Sequence, residues 1–573
     1  MSENILHNYA TYTYSLALAI ISPGQFNGLP SPCMEGNVIA ASAGRYPKGR
    51  DGAFAGTDFF FEDTKIETII ACNAQTKMSN VVKMEFKIVE PMGMTFFNRL
   101  ITAAMARGTT YLECPYLMEV CFFGYPGQST SPTKIPSTKY IAVKIVKCDL
   151  QVSAKGAEYT ITAVPYNYSS MTQTIGTIPY NYNIQGETVD DIFKPADSHL
   201  RNSFTKAMND YYSLMVEKEH ATMTESIEFD IPGEIKSSKI VESAEMPITM
   251  ISIDKDYTGN QPPAQSMVKT FPANKGTSIV NFLSLVIRNS DYIKKQALDF
   301  DEKTGPHGKS GGVIKWFKVA PNTVLTVTDP AQGRISRKTI YKVILYDMYN
   351  TVHPTMPVAA GAPISKEYNY IFTGKNKDIL DFNIQLNSLF YQSLAAFPKG
   401  ARPTTPWNKL VDTHEKDHNM NSQPAIISMI QENLGTIGLP KMVEQFTTRV
   451  TSNINNKRER VIEDFTKTIM EGPGADLVQL DLKIVGDPDF IKQDDIYHKA
   501  GDGAGDSVPM NTSEVFVKVS FKSPVDYNQG SGMADAGSAS EFNGTYRVIS
   551  VENIFSGGKF EQVLKLVRVF LPK

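Results

Sequence analysis

The residues of this chain that could do metal chemistry are concentrated in one short segment, His414-Glu415-Lys416-Asp417-His418. Two histidines with this spacing lie on one face of a helix, where they can hold zinc while the glutamate acts as a general base. The flanking sequence is polar and lies between Pro406 and Pro424, which is typical of a solvated loop or a short surface helix. We therefore expect no catalytic residue and no metal ligand here, and a zinc hydrolase using His414, Glu415 and His418 is the alternative hypothesis.

Three other patterns match ligand-binding motifs only in part. Gly308-Lys309-Ser310 resembles the end of a phosphate-binding loop, but Lys303 stands where the first glycine should be. Asp502-Gly503-Ala504-Gly505-Asp506 lacks the spacing and the closing glutamate of a calcium loop. Gly486-Asp487-Pro488-Asp489 is typical of a turn. We therefore predict no cofactor, no cofactor-binding residue and no enzymatic activity.

The overall charge argues against a dedicated nucleic-acid binder. The 573 residues carry a net charge of −3, with an isoelectric point near 6.3, whereas nucleic-acid binders normally present a basic field. The aromatic run Tyr368, Tyr370 and Phe372 could stack on bases, but it has no interleaved basic residues. We expect these aromatic side chains to lie in a core or an interface.

Chain length and cysteine content bound the architecture and the compartment. A chain of 573 residues is too long for one core and predicts about three to five domains. The five cysteines form no C-x-x-C pair, which indicates reduced thiols and assembly in a cytosol. The apolar run Leu16–Ile21 lacks a basic flank and is too short to span a bilayer, so we expect no signal peptide and no membrane anchor.

Two long β-hairpins predict a duplicated β-domain. At the end of the chain, residues 545–555 and 560–571 are rich in β-branched and aromatic residues and flank the turn Ser556-Gly557-Gly558-Lys559. Residues 140–150 and 158–165 have the same layout around Ala154-Lys155-Gly156-Ala157. Helical spacing predicts a helix that Thr95 caps, a helix that begins at Thr277 or Ser278, and a helix over about 440–470.

The predicted fold class is α+β, mainly β, with two barrel or sandwich domains and an accessory α+β region. The predicted parts are an N-terminal arm or loop (1–56), a first β-domain (57–174), an accessory region (175–365), a split second β-domain (366–390 and 475–573), and a linker with a helical insertion (391–474).

Six segments carry a resemblance to a known family. In the first β-domain they are Phe86–Gly93, Pro115–Tyr125 and Ala163–Asn167, and in the second they are Tyr370–Asn376, Gly486–Ile491 and Gly544–Arg568. Together they resemble the central hub protein of the baseplates of contractile-tailed bacteriophages, a tube-domain family related to the hub part of type VI secretion spike proteins.

The resemblance implies a structural virion protein with two tube-type domains per chain. Three copies would form a pseudo-sixfold ring that adapts the sixfold tail tube above to the threefold central spike below. The ring would be a conduit for DNA and the tape measure, with DNA only in transit through the lumen. Wedge and tape-measure proteins would be further partners, and the location would be the tail baseplate, after assembly in the host cytoplasm. A peripheral receptor-binding β-protein is the other alternative.

The strand pattern gives an independent reason to expect an assembly. Long strands that are apolar on both faces expose their edges unless a neighbour covers them. A closed ring removes such edges. We therefore predict that the hairpins at 140–164 and 545–571 contribute to the ring wall.

Overall fold

The computed structural model of the chain describes residues 3–22, 34–42, 46, 50–56, 59–70, 82–127, 131–166, 176–194, 203–221, 224–241, 249–254, 265–298, 314–329, 334–348, 364–371, 376–386, 478–491, 514–522, 527–528, 533–534 and 542–569. In these residues the chain is mainly β with few helices, which confirms the predicted fold class. The domain boundaries proposed from the sequence stay a prediction, and the described strands group into the three units below.

In the described residues, the first β unit has eight strands and one α-helix. The strands are β1 (Thr11–Ile20), β2 (Val38–Ala41), β3 (Phe60–Ile69), β4 (Val82–Glu90), β5 (Tyr116–Tyr125), β6 (Thr133–Lys134), β7 (Lys139–Ser153) and β8 (Gly156–Pro165), and helix α1 is Phe96–Met105. The structure differs from the expected N-terminal arm, because β1 pairs with β5 along its whole length and its apolar second half is buried. The run Leu16–Ile21 is therefore mostly a sheet strand.

Helix α1 begins beside a buried carboxylate. Its apolar side chains Phe96, Leu100 and Ala104 face the core, as their spacing predicts. The sequence placed a cap at Thr95, but the Thr95 side chain makes no capping hydrogen bond. Instead, the backbone N–H groups of Thr95 and Phe96 donate to Glu90, at 2.8 and 3.3 Å from Oε2. The first turn is thus capped by a side chain from the end of β4.

The accessory unit is an α+β unit with its own core. Its strands are β9 (Tyr182–Gln185), β10 (Thr224–Asp230), β11 (Thr249–Asp254), β12 (Gln265–Ala273), β13 (Ile314–Asp329) and β14 (Arg334–Met348). Its helices are α2 (Val189–Phe193), α3 (Phe204–Glu217), α4 (Gly233–Lys236), α5 (Ile279–Arg288) and α6 (Asp291–Leu298). The predicted helix after Thr277 or Ser278 is confirmed as α5, capped by Ser278, whose side chain accepts from the Asn281 N–H at 3.0 Å.

The second β unit comprises the remaining strands. They are β15 (Ile364–Ile371), β16 (Ile379–Leu386), β17 (Val478–Val485), β18 (Phe516–Lys522), β19 (Tyr527–Asn528), β20 (Met533–Ala534), β21 (Gly544–Ser556) and β22 (Lys559–Val569). Both predicted long hairpins are confirmed, as β7–β8 and as β21–β22. The predicted helix at 440–470 lies outside the described residues.

The two β units repeat one strand order. The first runs β3-β4-β8-β7-β5-β1, and the second runs β16-β17-β22-β21-β18-β15. Strand by strand along the chain, β3–β4 thus corresponds to β16–β17, and β7–β8 to β21–β22. The one difference in direction is at the end, where β1 is antiparallel to β5 but β15 is parallel to β18. The predicted duplication is therefore visible in the topology.

Candidate assembly interface

The two β units are joined by pairing between β21 and β3, which we call the internal joint. It is antiparallel and runs from Ser550 opposite Ile69 to Phe555 opposite Thr64. This pairing makes both units parts of one 14-stranded sheet. Only the distal half of β21, residues 550–555 next to the hairpin turn, takes part. The proximal half, Gly544–Arg547, pairs with β18 instead.

A row of buried amides holds the internal joint. The Asn553 side chain donates to the Ile66 carbonyl at 3.2 Å, across the two strands. The Gln562 amide donates to Asn553 Oδ1 at 2.6 Å and to the Asp487 carbonyl at 2.9 Å, and it accepts from the Asp487 N–H at 2.8 Å. Both Asn553 and Gln562 are fully buried, so an unmade bond here would cost about 1–3 kcal/mol.

Aromatic side chains of the second unit complete the core of the first. Phe555 and Phe560, at the hairpin turn of β21 and β22, stack with ring centroids 4.5 Å apart and planes 4° apart. Both are buried in the first unit's core, where Tyr14 lies 5.0 Å from Phe555 and Phe122 lies 5.3 Å from Phe560, centroid to centroid. The core of the first unit is therefore incomplete without the β21–β22 turn of the second unit.

The first residues of the chain also bridge the two units. The Asn4 side chain donates to the Gly486 carbonyl at 2.9 Å, and His7 Nε2 lies 3.0 Å from the Asp378 carboxylate. The Tyr12 hydroxyl donates to the Phe560 carbonyl at 3.2 Å. Segment 4–12 thus fastens the start of the first unit to the ends of β17 and β22.

The second unit contains a buried charge cluster next to the buried amides of the internal joint. Lys366 Nζ lies 2.8 Å from Asp487 Oδ2 and 2.6 Å from Asp489 Oδ2, and the side chains of all three are largely buried. Asp487 Oδ1 also accepts from the Asp489 N–H at 3.0 Å, which begins the 3-10 turn Pro488–Phe490. The turn predicted at Gly486–Asp489 is confirmed, whereas its lysine partner was not predicted.

The protonation equilibria of this cluster are shifted by burial and by its neighbours. Burial raises the pKa of the Asp487 carboxyl, and the Lys366 ammonium offsets that rise only in part. Burial alone would lower the pKa of Lys366, but the carboxylates of Asp487 and Asp489 raise it above the ordinary lysine value. The Tyr368 hydroxyl is buried among these charges without a hydrogen-bond partner in the described residues, and burial raises its pKa. Because its side chains are largely buried, the cluster offers no open site for a substrate in the part of the chain that the structure describes.

Each β unit contains a run of four strands, β3-β4-β8-β7 in the first and β16-β17-β22-β21 in the second. At the end of each run that the internal joint does not use, a strand edge lacks a partner among the described residues. The outer edge of β16 is one, since β16 pairs only with β17. The distal half of β7 is the other, because β5 pairs only with residues 139–143 and the remainder of β7 pairs on one side with β8. These two edges carry exposed apolar side chains: Leu150 is 45% exposed, Val152 62% and Leu386 67%. Exposed apolar strand edges of this kind are places where another chain pairs.

The segments that the sequence singled out for chemistry fall mostly outside the described residues. This holds for His414–His418, for Gly308–Ser310 and for Asp502–Asp506. Tyr368 is buried, as expected for a core aromatic residue, and Tyr370 is partly buried against Phe382, with ring centroids 4.8 Å apart. Within the part of the chain that the structure describes, no group of three or more histidine, cysteine or acidic side chains could hold a metal ion. No helix of the described residues is long and apolar enough to cross a membrane.

Comparison with known proteins gives similarity at the level of structure only. No family model and no curated protein matches the chain. The solved structures to which it is similar include a tail protein from Neisseria meningitidis MC58, at 8% identity and a TM-score of 0.30 over 97% of both chains. A 43 kDa tail protein of prophage MuSo2 from Shewanella oneidensis is 7% identical, with a TM-score of 0.31 over 97% of this chain and 98% of that one. The E. coli c3393 protein, described as a type VI secretion component similar to the T4 bacteriophage tail proteins gp27 and gp5, is 7% identical, with a TM-score of 0.27 over 91% of this chain and 78% of that one. The chain is thus similar, at low identity and low TM-score, to solved tail proteins and to a type VI secretion component.

Proposed function

We propose that this chain is a structural hub of a contractile phage-tail baseplate. Three copies form a ring of six β units, which adapts the sixfold tail tube to the threefold central spike and encloses a conduit for DNA and the tape measure. The chain makes and breaks no covalent bond in this role. Its partners are two further copies of itself, the tube protein above and the spike protein below, with wedge and tape-measure proteins as further contacts, and it resides in the virion tail after assembly in the host cytoplasm.

The proposed ring rests on one observation. The repeated strand order gives the two units corresponding strand edges, and the internal joint uses one edge from each unit. The joint takes the distal half of β21 and the outer edge of β3. Two edges that correspond to these have no strand partner among the described residues: the distal half of β7, which corresponds to β21, and the outer edge of β16, which corresponds to β3. Because the remaining edges match those already joined, copies can be added head to tail, and a closed ring leaves no such edge exposed.

The number of copies follows from the pairing of units with symmetry. Each chain brings two units, so a threefold ring presents six similar units around its axis. Such a ring can contact a sixfold tube through all six units and a threefold spike through the three chains as wholes. This symmetry match supports the adaptor role, in which the chain acts through its binding surfaces and not through reactive groups.

The mass of the purified particle tests the proposal. We expect native mass spectrometry or mass photometry to give a particle of three times the 63.5 kDa chain mass. Electron microscopy down the symmetry axis should show a ring with a central channel and six similar lobes. A stable monomer at micromolar concentration, or an oligomer without a channel, would refute the hub proposal.

A further inference from the structure

We propose that the ring is closed by pairing the distal half of β7 in one copy with β16 of the next copy, in the same register as the internal joint. In this register Cys148 lies opposite Leu386, Leu150 opposite Ile384, and Val152 opposite Phe382. The inference rests on the proposed ring and adds the residues that join its copies. The partner is a second copy of this chain.

The correspondence between β7 and β21 is fixed at two places in each hairpin. Both strands end at a serine next to the turn, Ser153 opposite Gly156 and Ser556 opposite Lys559. Counted back from these serines, both have a β-bulge at the same distance, between Ile145 and Lys147 in β7 and between Val548 and Ser550 in β21. A shared bulge fixes the register, because a slip of one residue would reverse every side chain. Val152 therefore corresponds to Phe555, Leu150 to Asn553 and Cys148 to Val551.

The correspondence between β16 and β3 follows through the sheet. Ile384 is opposite Leu480, which is opposite Leu566 of β22. Ile66 is opposite Met84, which is opposite Ala163 of β8, at the position that matches Leu566. Ile384 therefore corresponds to Ile66. Steps of two residues along the same face match Phe382 with Thr64 and Leu386 with Thr68.

The internal joint then predicts the contacts of the second joint. Within the chain, three pairs of side chains meet on the core-facing side: Val551 opposite Thr68, Asn553 opposite Ile66, and Phe555 opposite Thr64. Replacing each residue by its counterpart gives the three pairs stated above, and every member of them is apolar or a cysteine. Directly opposed apolar pairs are what stabilises antiparallel strands.

Burial supports the same register. All six residues of the three internal pairs are buried. At the corresponding positions in one copy, Leu150, Val152 and Leu386 are exposed, although their pairing partners in the chain, Tyr159, Ala157 and Val478, face the cores. These three side chains therefore lie on the core-facing side of the sheet, at rims where no described residue covers them. Pairing with a second copy would cover them as the internal joint covers Phe555.

The loop between β4 and α1, next to the β7–β8 turn, also carries exposed apolar side chains. The turn that follows β17 places Phe490 in the second unit's core and Ile491 in the first unit's core. By the sheet register, Gly486 corresponds to Glu90, so the loop after β4 corresponds to this turn. That loop carries Met92, which is 92% exposed, and Met94, which is 65% exposed. We expect both methionines to pack on the second unit of the next copy.

The substitution Leu386→Cys tests the register, because the native Cys148 supplies the other thiol. Cα atoms of directly opposite residues are about 4.5–5.5 Å apart, which suits a disulfide, whereas diagonal neighbours are about 7–8 Å apart. After oxidation with copper phenanthroline, a non-reducing gel should show covalent dimers and trimers that reductant returns to monomers. The control Gln385→Cys points to the opposite face and should give at least about tenfold less cross-linked product. The double substitution Leu386→Cys with Cys148→Ser should give none.

A second pair keeps the test independent of the reactivity of Cys148. Leu150→Cys and Ile384→Cys, combined with Cys148→Ser, should cross-link between copies with the same reversibility. If the particle has the mass of a trimer but neither pair cross-links, or if Gln385→Cys links as well as Leu386→Cys, the proposed register is wrong while the ring stands. If the native particle is monomeric, the ring itself fails, so the two failures are distinguishable.

Discussion

Replacing Lys366 by methionine should destabilise the second β unit strongly. The substitution removes the cation that lies 2.8 Å from the Asp487 carboxylate and leaves the carboxylates of Asp487 and Asp489 buried together. Removing one partner of a buried ion pair costs about 3–5 kcal/mol, since the remaining charge has neither water nor a counter-ion. At about 2–4 °C per kcal/mol, the thermal transition of this unit should fall by on the order of 10 °C in calorimetry.

The pH dependence provides the sharper test. In the native chain the pKa of Lys366 is raised, so its contribution is complete below the ordinary lysine pKa and is lost as pH rises through the folded value. The pKa of Asp487 is also raised, and loss of the ammonium should raise it further. A group of this kind stabilises the fold as pH falls through its folded pKa. The deficit of Lys366→Met relative to the native chain should therefore narrow between pH 7 and pH 5.

A surface lysine on the adjacent strand is the matched control. Lys518 Nζ lies 3.0 Å from Glu367 Oε1 of β15, but its side chain is 43% exposed. Lys518→Met should cost less than about 1 kcal/mol, because exposed ion pairs contribute little. A cost below about 1 kcal/mol for Lys366→Met, or a deficit that stays constant from pH 7 to pH 5, would show that the cluster is not held by its charges.

Four further predictions concern the internal joint, helix α1 and the zinc-binding pattern at His414–His418. Gln562→Ala should cost about 1–3 kcal/mol in calorimetry by leaving the Asp487 N–H and Asn553 without their buried partner, and an unchanged transition would contradict that role. A Cβ at residue 486 would lie 2.1 Å from Phe560 Cδ1, so Gly486→Ala should lower the transition temperature, whereas Gly52→Ala, which meets nothing within 4 Å, should not. Glu90→Ala should weaken α1 by about 1 kcal/mol or more, because it removes the acceptor of the Thr95 and Phe96 N–H groups, and hydrogen exchange at those two amides measures it. Glu415→Gln should leave particle mass and stability unchanged, and stoichiometric zinc in the purified protein that is lost with His414→Ala would favour the hydrolase instead.

Local patterns in the sequence predicted the hairpins and the best-defined helix. The β7–β8 and β21–β22 hairpins follow from alternating β-branched residues around short turns, and α5 follows from Ser278 and an apolar stripe. These features depend on neighbours within a few residues, so one sequence is enough to find them.

Contacts between distant parts of the chain could not be predicted in the same way. Nothing local to Lys366 indicates that its partners are Asp487 and Asp489, and nothing local to β3 indicates that β21 lies beside it. The predicted capping hydrogen bond from the Thr95 side chain was wrong. The acceptor is instead the carboxylate of Glu90, which lies five residues earlier, across a turn. The N-terminal strand β1 was missed because glycine and proline in the following residues dominated the pattern of that region.

The internal joint has a consequence for how a ring of the proposed kind would assemble. Because β21 and β3 belong to one polypeptide, half of the contacts between neighbouring units form during folding, at the high effective concentration that a covalent tether provides. Only the remaining contacts cost translational and rotational entropy when separate molecules meet. A threefold particle then needs two bimolecular encounters before the ring closes, where six separate units would need five, and this leaves fewer incomplete intermediates at low protein concentration.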